Sequence, residues 1–160
     1  MSISKKDFLK LQNGSDIRGV ACEGIEGEHV NLTSEAAFAI GQAFALWLMK
    51  KRNLKPEECI VGVGMDSRIT GPKLKAAIIK GLMSQGIYVS NCGMASTPAM
   101  FMTTVDLGCD GAVQLTASHH PYHRNGLKFF CAVSETRISG GLEGAEIEEI
   151  LQYAQDEAFV

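Results

Sequence analysis

IVGVGM at residues 60–65 is a run without a charged or hydrogen-bonding side chain, set between two longer stretches whose apolar residues recur every three to four positions. In that setting a short apolar run reads as a buried strand and the flanking periodicity as helix. In the first flank, Thr33 or Ser34 caps a helix reaching about Arg52, with Ile40, Phe44, Trp47 and Leu48 on one stripe. In the second, Thr70 caps a helix with Pro72 in its first turn. Leu74, Ala77, Ile78, Gly81 and Leu82 share its inner face, and Gly86 ends it in a left-handed conformation. The alternation extends both ways. Residues 17–22 and 87–92 predict further strands, and STP at 96–98 opens a shorter helix ending near Gly108. Apolar runs at 111–115 and 127–133 flank a polar loop. A polar SGG at 139–141 then leads to a last helix with Ile147, Ile150, Leu151 and Ala154 on one face. This order predicts a three-layer α/β/α domain with a mixed, largely parallel sheet and helices on both faces. The hairpin around the polar loop is expected to form an antiparallel edge.

At 160 residues and 46% hydrophobic composition the chain is expected to be one domain with its own core. A net charge of -3 and the lack of a basic cluster argue against nucleic acid or a membrane surface as a partner. Residues 36–49 form the longest apolar stretch, broken by Gly41 and Gln42 and too short to span a bilayer. Five cysteines without a C-x-x-C pair fit a reducing compartment, so a soluble intracellular protein is expected. Any anionic ligand would have to be held by a few local cations.

Those cations sit in three loops expected at strand ends: SDIRG at 15–19, GMDSR at 64–68 and TASHHPYHRNGLK at 116–128. The last combines a hydroxyl, Ser118, with His119, His120, His123, Arg124 and Lys128. A hydroxyl becomes a nucleophile when a base takes its proton and nearby cations stabilise the anion that forms. His119 can accept or donate a proton and Lys128 can supply charge, and a turn at Asn125-Gly126 would fold Lys128 back toward Ser118. Arg18 and Arg68 suit bidentate phosphate recognition or pairing with Asp16 and Asp66 to fix their loops; spacing favours the second role for Arg68. A histidine metal site lacks ligand-like spacing, and a Ser118–His119 hydrolase lacks a G-x-S-x-G elbow.

The 116–128 loop resembles the active-site serine loop of the α-D-phosphohexomutases (phosphoglucomutase, phosphomannomutase, phosphoglucosamine mutase), written T-[AG]-S-H-N-P and then N-G-x-K. Ser118, His119, Pro121, Asn125, Gly126 and Lys128 all stand at the family spacing. SDIRG resembles the family's F-D-I-R-G, GMDSR its G-x-D-x-R, and GMASTP at 93–98 its G-x-x-x-T-P. The resemblance implies a phosphoserine at Ser118 that moves a phosphoryl group between C1 and C6 of a hexose phosphate through a bisphosphorylated sugar. Arg18, His119 and Lys128 would be catalytic, and Arg18, Lys128 and Asn125 would bind substrate or phosphate. Mg2+ would be held through the Ser118 phosphate, with hexose 1,6-bisphosphate as activator. Residues 1–160 would form the N-terminal domain. Its partners would be hexose phosphates and later domains carrying a D-G-D-x-D-R magnesium loop, and the isolated domain would be inactive. A non-catalytic phosphosugar-binding domain of the same fold is the alternative. The wording around SDIRG and RNGLKFF is closest to a bacterial-type branch of plants and algae, implying cytoplasm or plastid stroma. Two positions depart from the pattern: His120 replaces the usual Asn, and Ser15 replaces Phe.

Overall fold

In the computed structural model, which describes residues 7–133 and 138–158, the expected alternation is present. A two-residue strand β1 (Gln12–Asn13) turns into β2 (Asp16–Val20). Helix α1 (Ser34–Arg52) follows, its first turn capped by the Thr33 hydroxyl, which accepts from the Ala36 N–H at 3.1 Å. Next come β3 (Ile60–Met65), α2 (Gly71–Ser84), β4 (Tyr88–Met94), the short helices α3 (Thr97–Phe101) and α4 (Thr103–Asp106), and β5 (Gly111–Leu115). The chain closes with β6 (Arg124–Val133), β7 (Ile138–Gly141) and α5 (Gly144–Asp156).

Sheet order is β1-β2-β6-β5-β3-β4, with β7 beside the far half of β6. Parallel pairing is confined to β3 with β4 and β3 with β5, so the sheet is partly rather than largely parallel. The reason is the connection after β5. Residues 116–123 are too few for a crossover, so β6 returns antiparallel to β5. The hairpin is not an edge either, because β2 pairs antiparallel along the other side of β6. Since β2 opposes β6 and β6 opposes β5, β2 runs the same way as β3, β4 and β5. The register Ile17–Leu127–Leu115–Met65–Met94 forms one row across the sheet, which sets the SDIRG residues, inside β2 rather than in the loop expected for them, beside the loops that follow β3 and β5.

The faces are unequal. On one, α1, α2 and α5 bury Phe44, Ile78, Leu82, Ile147 and Leu151 against Val61, Val113, Leu115, Leu127 and Phe129. The Phe44 and Phe129 rings lie 4.7 Å apart. On the other, α3 and α4 cover a small cluster of Met100, Ala112 and Phe130. The single helix expected from Ser96 breaks at Met102, where buried Thr103 turns its hydroxyl back onto the Met100 carbonyl at 2.8 Å.

α1 and α2 touch backbone to backbone. A Cβ at Gly81 would meet the Phe38 carbonyl oxygen at 2.2 Å, and one at Gly41 the Ile78 carbonyl oxygen at 2.7 Å. Overpacking so tight a contact typically costs about 1–3 kcal/mol. Gly81→Ala is expected to lower the unfolding free energy by at least about 2 kcal/mol, measured by urea denaturation, even though alanine is the better helix former.

Candidate active site

The loop after β5 is organised by an arginine from another strand. Arg68 follows β3, and its guanidinium donates to four carbonyl oxygens of the serine loop. Nη1 reaches Pro121 and Arg124 at 2.9 and 3.0 Å, and Nη2 reaches Ser118 and His120 at 2.9 and 2.8 Å. Asp66 steadies the arginine: its Oδ1 accepts from the Arg68 N–H, and its Oδ2 lies 3.7 Å from Nε. The role of fixing a loop is thus the one Arg68 fills, acting on a different loop from its own. Within that clasp Ser118 adopts φ +52, the left-handed region a residue with a Cβ rarely visits. Its N–H donates to the Thr116 hydroxyl at 3.0 Å, and the His120 N–H closes the turn onto Ala117 at 2.9 Å. Strain of this kind persists where the surroundings over-determine it, and it concentrates at functional sites.

The Ser118 side chain is exposed, with its Oγ 3.4 Å from His119 Nδ1, a distance at which the imidazole lies near the hydroxyl without gripping it. Arg18 and Lys128 stand on adjacent antiparallel strands, where Asp16 lies opposite Lys128. Asp16 accepts from both: Oδ1 from Lys128 Nζ at 2.9 Å and Oδ2 from Arg18 Nη2 at 3.1 Å. Arg18 Nη1 lies 2.6 Å from His120 Nε2. Arginine only donates, so this ring nitrogen is the acceptor and carries no proton. Burial, followed by the charges of Arg18, Arg124, His119 and Arg68, pushes the His120 pKa down, in accord with a neutral ring. Gly126 makes room for Arg18, since a Cβ there would come 2.8 Å from Arg18 Cγ and 2.4 Å from the Ile17 carbonyl oxygen.

Three expectations need correction. Asn125 and Gly126 form no turn; both lie inside β6, paired with Gly19 and Arg18 of β2. Asn125, expected at the substrate, is fully buried. Its Nδ2 donates to the Thr70 hydroxyl at 2.9 Å and its Oδ1 accepts from the Gly126 N–H at 2.8 Å. Thr70 in turn does not cap α2 with its side chain, because its helical backbone (φ -84, ψ -8) turns the hydroxyl toward Asn125 instead. The loop imidazoles also diverge: His119 toward Ser118, His120 toward Arg18, and buried His123 toward Glu28, 2.6 Å from its Oε2. Among the described residues no group of three His, Cys, Asp or Glu side chains is placed to hold a metal ion. Asp16 on β2 and Asp66 after β3 are engaged by arginine or lysine. These residues therefore do not by themselves fit Mg2+. The Arg18–Asp16 pair is one the residues themselves suggest, whereas the Lys128–Asp16 arm and the Glu28–His123 contact carry no signal in the sequence.

A family model described as phosphoglucomutase/phosphomannomutase, alpha/beta/alpha domain I, matches residues 10–157. Phosphoglucosamine mutase of Leuconostoc mesenteroides is 38% identical over 148 residues, covering 92% of this chain and 30% of that enzyme. The phosphoglucosamine mutase of Acetivibrio thermocellus is 40% identical over 139 residues, 86% of this chain and 28% of its own length. A phosphoglucomutase/phosphomannomutase family protein from Burkholderia thailandensis superposes with a TM-score of 0.69 at 25% identity, over 98% of this chain and 31% of that one. The chain belongs to the phosphoglucomutase/phosphomannomutase family, as its α/β/α domain I. It spans about 30% of the length of the curated relatives it matches. Among the described residues no helix is long and apolar enough to cross a membrane.

Removing the Arg68 fork leaves several loop carbonyls without their donor, and a hydrogen bond to a charged group contributes about 1.5–3 kcal/mol. Arg68→Lys, which cannot reproduce the fork, is expected to destabilise the fold by about 2 kcal/mol and to raise amide exchange most at residues 118–124. Glu28 gives a pH prediction. Its hydrogen bond to His123, aided by the charges of His123 and Arg124 and opposed by some burial, holds its carboxyl below the ordinary pKa. A carboxyl depressed on folding stabilises the native state above its unfolded pKa, and that contribution disappears as pH falls through the folded value. Glu28→Gln should therefore melt earlier than the parent at neutral pH and converge with it in acid, as read from thermal midpoints across the carboxylate range.

Proposed function

We propose that this chain is the serine-carrying domain of a hexose-phosphate mutase. Family membership supports this reading, and the arrangement at Ser118 gives it chemistry: an exposed, strained hydroxyl with His119 at its side and the Arg18–Asp16–Lys128 group on the neighbouring strands. In the phosphorylated state, the P–O bond to Ser118 breaks as a sugar hydroxyl oxygen bonds to phosphorus. That hydroxyl loses its proton, and the Ser118 oxygen gains one. The resulting bisphosphate turns over and returns its other phosphoryl group by the reverse step. Phosphoryl transfer depends mainly on positioning and charge stabilisation, so Arg18 and Lys128 steady the transferring group while His119 moves a proton at the Ser118 oxygen. Glucosamine phosphate is the first sugar to test, because the relatives above are phosphoglucosamine mutases. Those relatives are bacterial and lend no support to a plastid placement. Magnesium would act as a counter-ion on the phosphoryl group, held by ligands from outside the described residues.

The chain alone is expected to accept a phosphoryl group without turning substrate over. Incubated with glucose 1,6-bisphosphate, the protein should gain the mass of one phosphoryl group, and Ser118→Ala should gain none. Binding of the bisphosphate without a mass change would instead favour the phosphosugar-binding alternative. A normal mutase rate from the purified chain would refute the expectation that later domains complete the site.

A further inference from the structure

His120 stands where the family's pattern has asparagine, and the geometry gives it a task. Arg18 is gripped from two sides: Asp16 Oδ2 holds Nη2 at 3.1 Å, and His120 Nε2 holds Nη1 at 2.6 Å. The two contacts come from different parts of the fold. Asp16 is on the same strand as Arg18, two residues away and on the same face of the sheet, while His120 belongs to the turn that presents Ser118. A guanidinium held at both Nη atoms cannot rotate about its Cζ–Nε bond without breaking one contact. Each Nη keeps a second N–H for an oxygen ligand, while the buried Nε–H has no hydrogen-bond partner among the described residues. Asp16 also holds Lys128 at 2.9 Å, so one carboxylate is shared by two cations and the group keeps one net positive charge.

We propose that Asp16 and His120 are positioning residues that brace Arg18 from opposite sides, leaving its free N–H groups to receive the phosphoryl group carried by Ser118. The proposal rests on the mutase reading above for its phosphoryl group, while the brace stands on this geometry alone. Reach explains the departure from asparagine. The acceptor Nε2 lies three bonds beyond Cβ in histidine and the amide oxygen two bonds beyond it in asparagine, whereas the glutamine amide oxygen lies at the histidine distance. His120→Gln should therefore keep the brace and His120→Asn should lose it.

The test uses the isotopically labelled 160-residue protein and observes the Arg18 guanidinium by NMR. Hindered rotation should give separate Nη1 and Nη2 signals in the parent and in His120→Gln. A single averaged signal is expected in His120→Ala, His120→Asn and Asp16→Ala. Because His120 lies in a surface turn, its variants decide the matter even if Asp16→Ala does not fold. Separate signals persisting in His120→Ala would overturn the brace. The second readout is the rate of phosphoryl uptake from glucose 1,6-bisphosphate by intact mass, in variants whose thermal midpoint is close to the parent's. Misplacement of a reacting group by about 1 Å can cost about 100-fold, so His120→Ala should slow uptake by about that factor, with little change in the bisphosphate concentration giving half the maximal rate. His120→Gln should recover most of the rate. Equal rates in the parent and His120→Ala would reject the positioning role. No uptake by the parent would instead sink the mutase reading, and the NMR signals would still decide the brace.

Discussion

The interaction on which the site depends is the Arg68 guanidinium inside the serine loop. Its four carbonyl partners span residues 118–124, so a single planar, permanently charged group fixes the path of nearly the whole connection between β5 and β6. A loop of this length has many conformations, and ordering each residue costs about 1–2 kcal/mol of entropy. Hydrogen bonds donated by a cation are among the stronger ones available, and here several act together from a rigid fork. The left-handed backbone at Ser118 is held inside this clasp, which ties the position of the hydroxyl to the end of β3. That coupling gives the G-x-D-x-R segment a physical purpose. Its arginine binds the loop carbonyl oxygens rather than the Ser118 hydroxyl; it holds the backbone that presents that hydroxyl.

The second constraint is the register between β2 and β6. Antiparallel pairing sets Asp16 opposite Lys128 and Arg18 opposite Gly126, on one face of the sheet. Two cations side by side on a surface would repel and spread apart. A carboxylate between them removes that repulsion while leaving the pair positive enough to attract a doubly charged phosphoryl group. The lack of a side chain at Gly126 then lets Arg18 lie flat across β6 toward the serine turn. Strand pairing, a glycine and an acidic residue thus do together what neither cation does alone.

Much of this was legible in the residues. The strands at Ile60–Met65 and Gly111–Leu115 and the helix Ser34–Arg52 fall where apolar runs and periodicity place them, because their partners simply cover the apolar sides. Asn125-Gly126 misled, since the turn chemistry of that pair is a local preference overridden by ladders on both sides and by the Thr70 contact. β7 was missed because Ile138–Gly141 has little strand propensity of its own and is held by pairing with the end of β6. The Arg68 clasp was illegible for another reason. Its partners are carbonyl oxygens, whose directions depend on turn geometry and not on side-chain identity. His120 was visible as an oddity, but only its contact with Arg18 gives it a role.

Under the proposed function an exposed Ser118 hydroxyl would serve a reaction that must exclude water. Ser118 and His119 are exposed, and the sheet face carrying Asp16, Arg18 and Lys128 continues into an open apolar groove of about 540 Å³ along Phe130, Phe101 and Met102. A phosphoryl group presented so openly would be as accessible to water as to a sugar hydroxyl, and transfer to the sugar gains from a closed, water-poor site. On the proposed reading the described residues would supply three parts of the reaction: the attachment point, the charge that steadies the phosphoryl group and a nearby imidazole. Closure and sugar recognition are different tasks, requiring groups on the opposite side of the phosphoryl group. Relatives more than three times as long as the matched region have chain enough to supply them. On the proposed mutase reading, a domain of this geometry would hold and release a phosphoryl group, and closure and sugar selection would fall to groups outside the described residues.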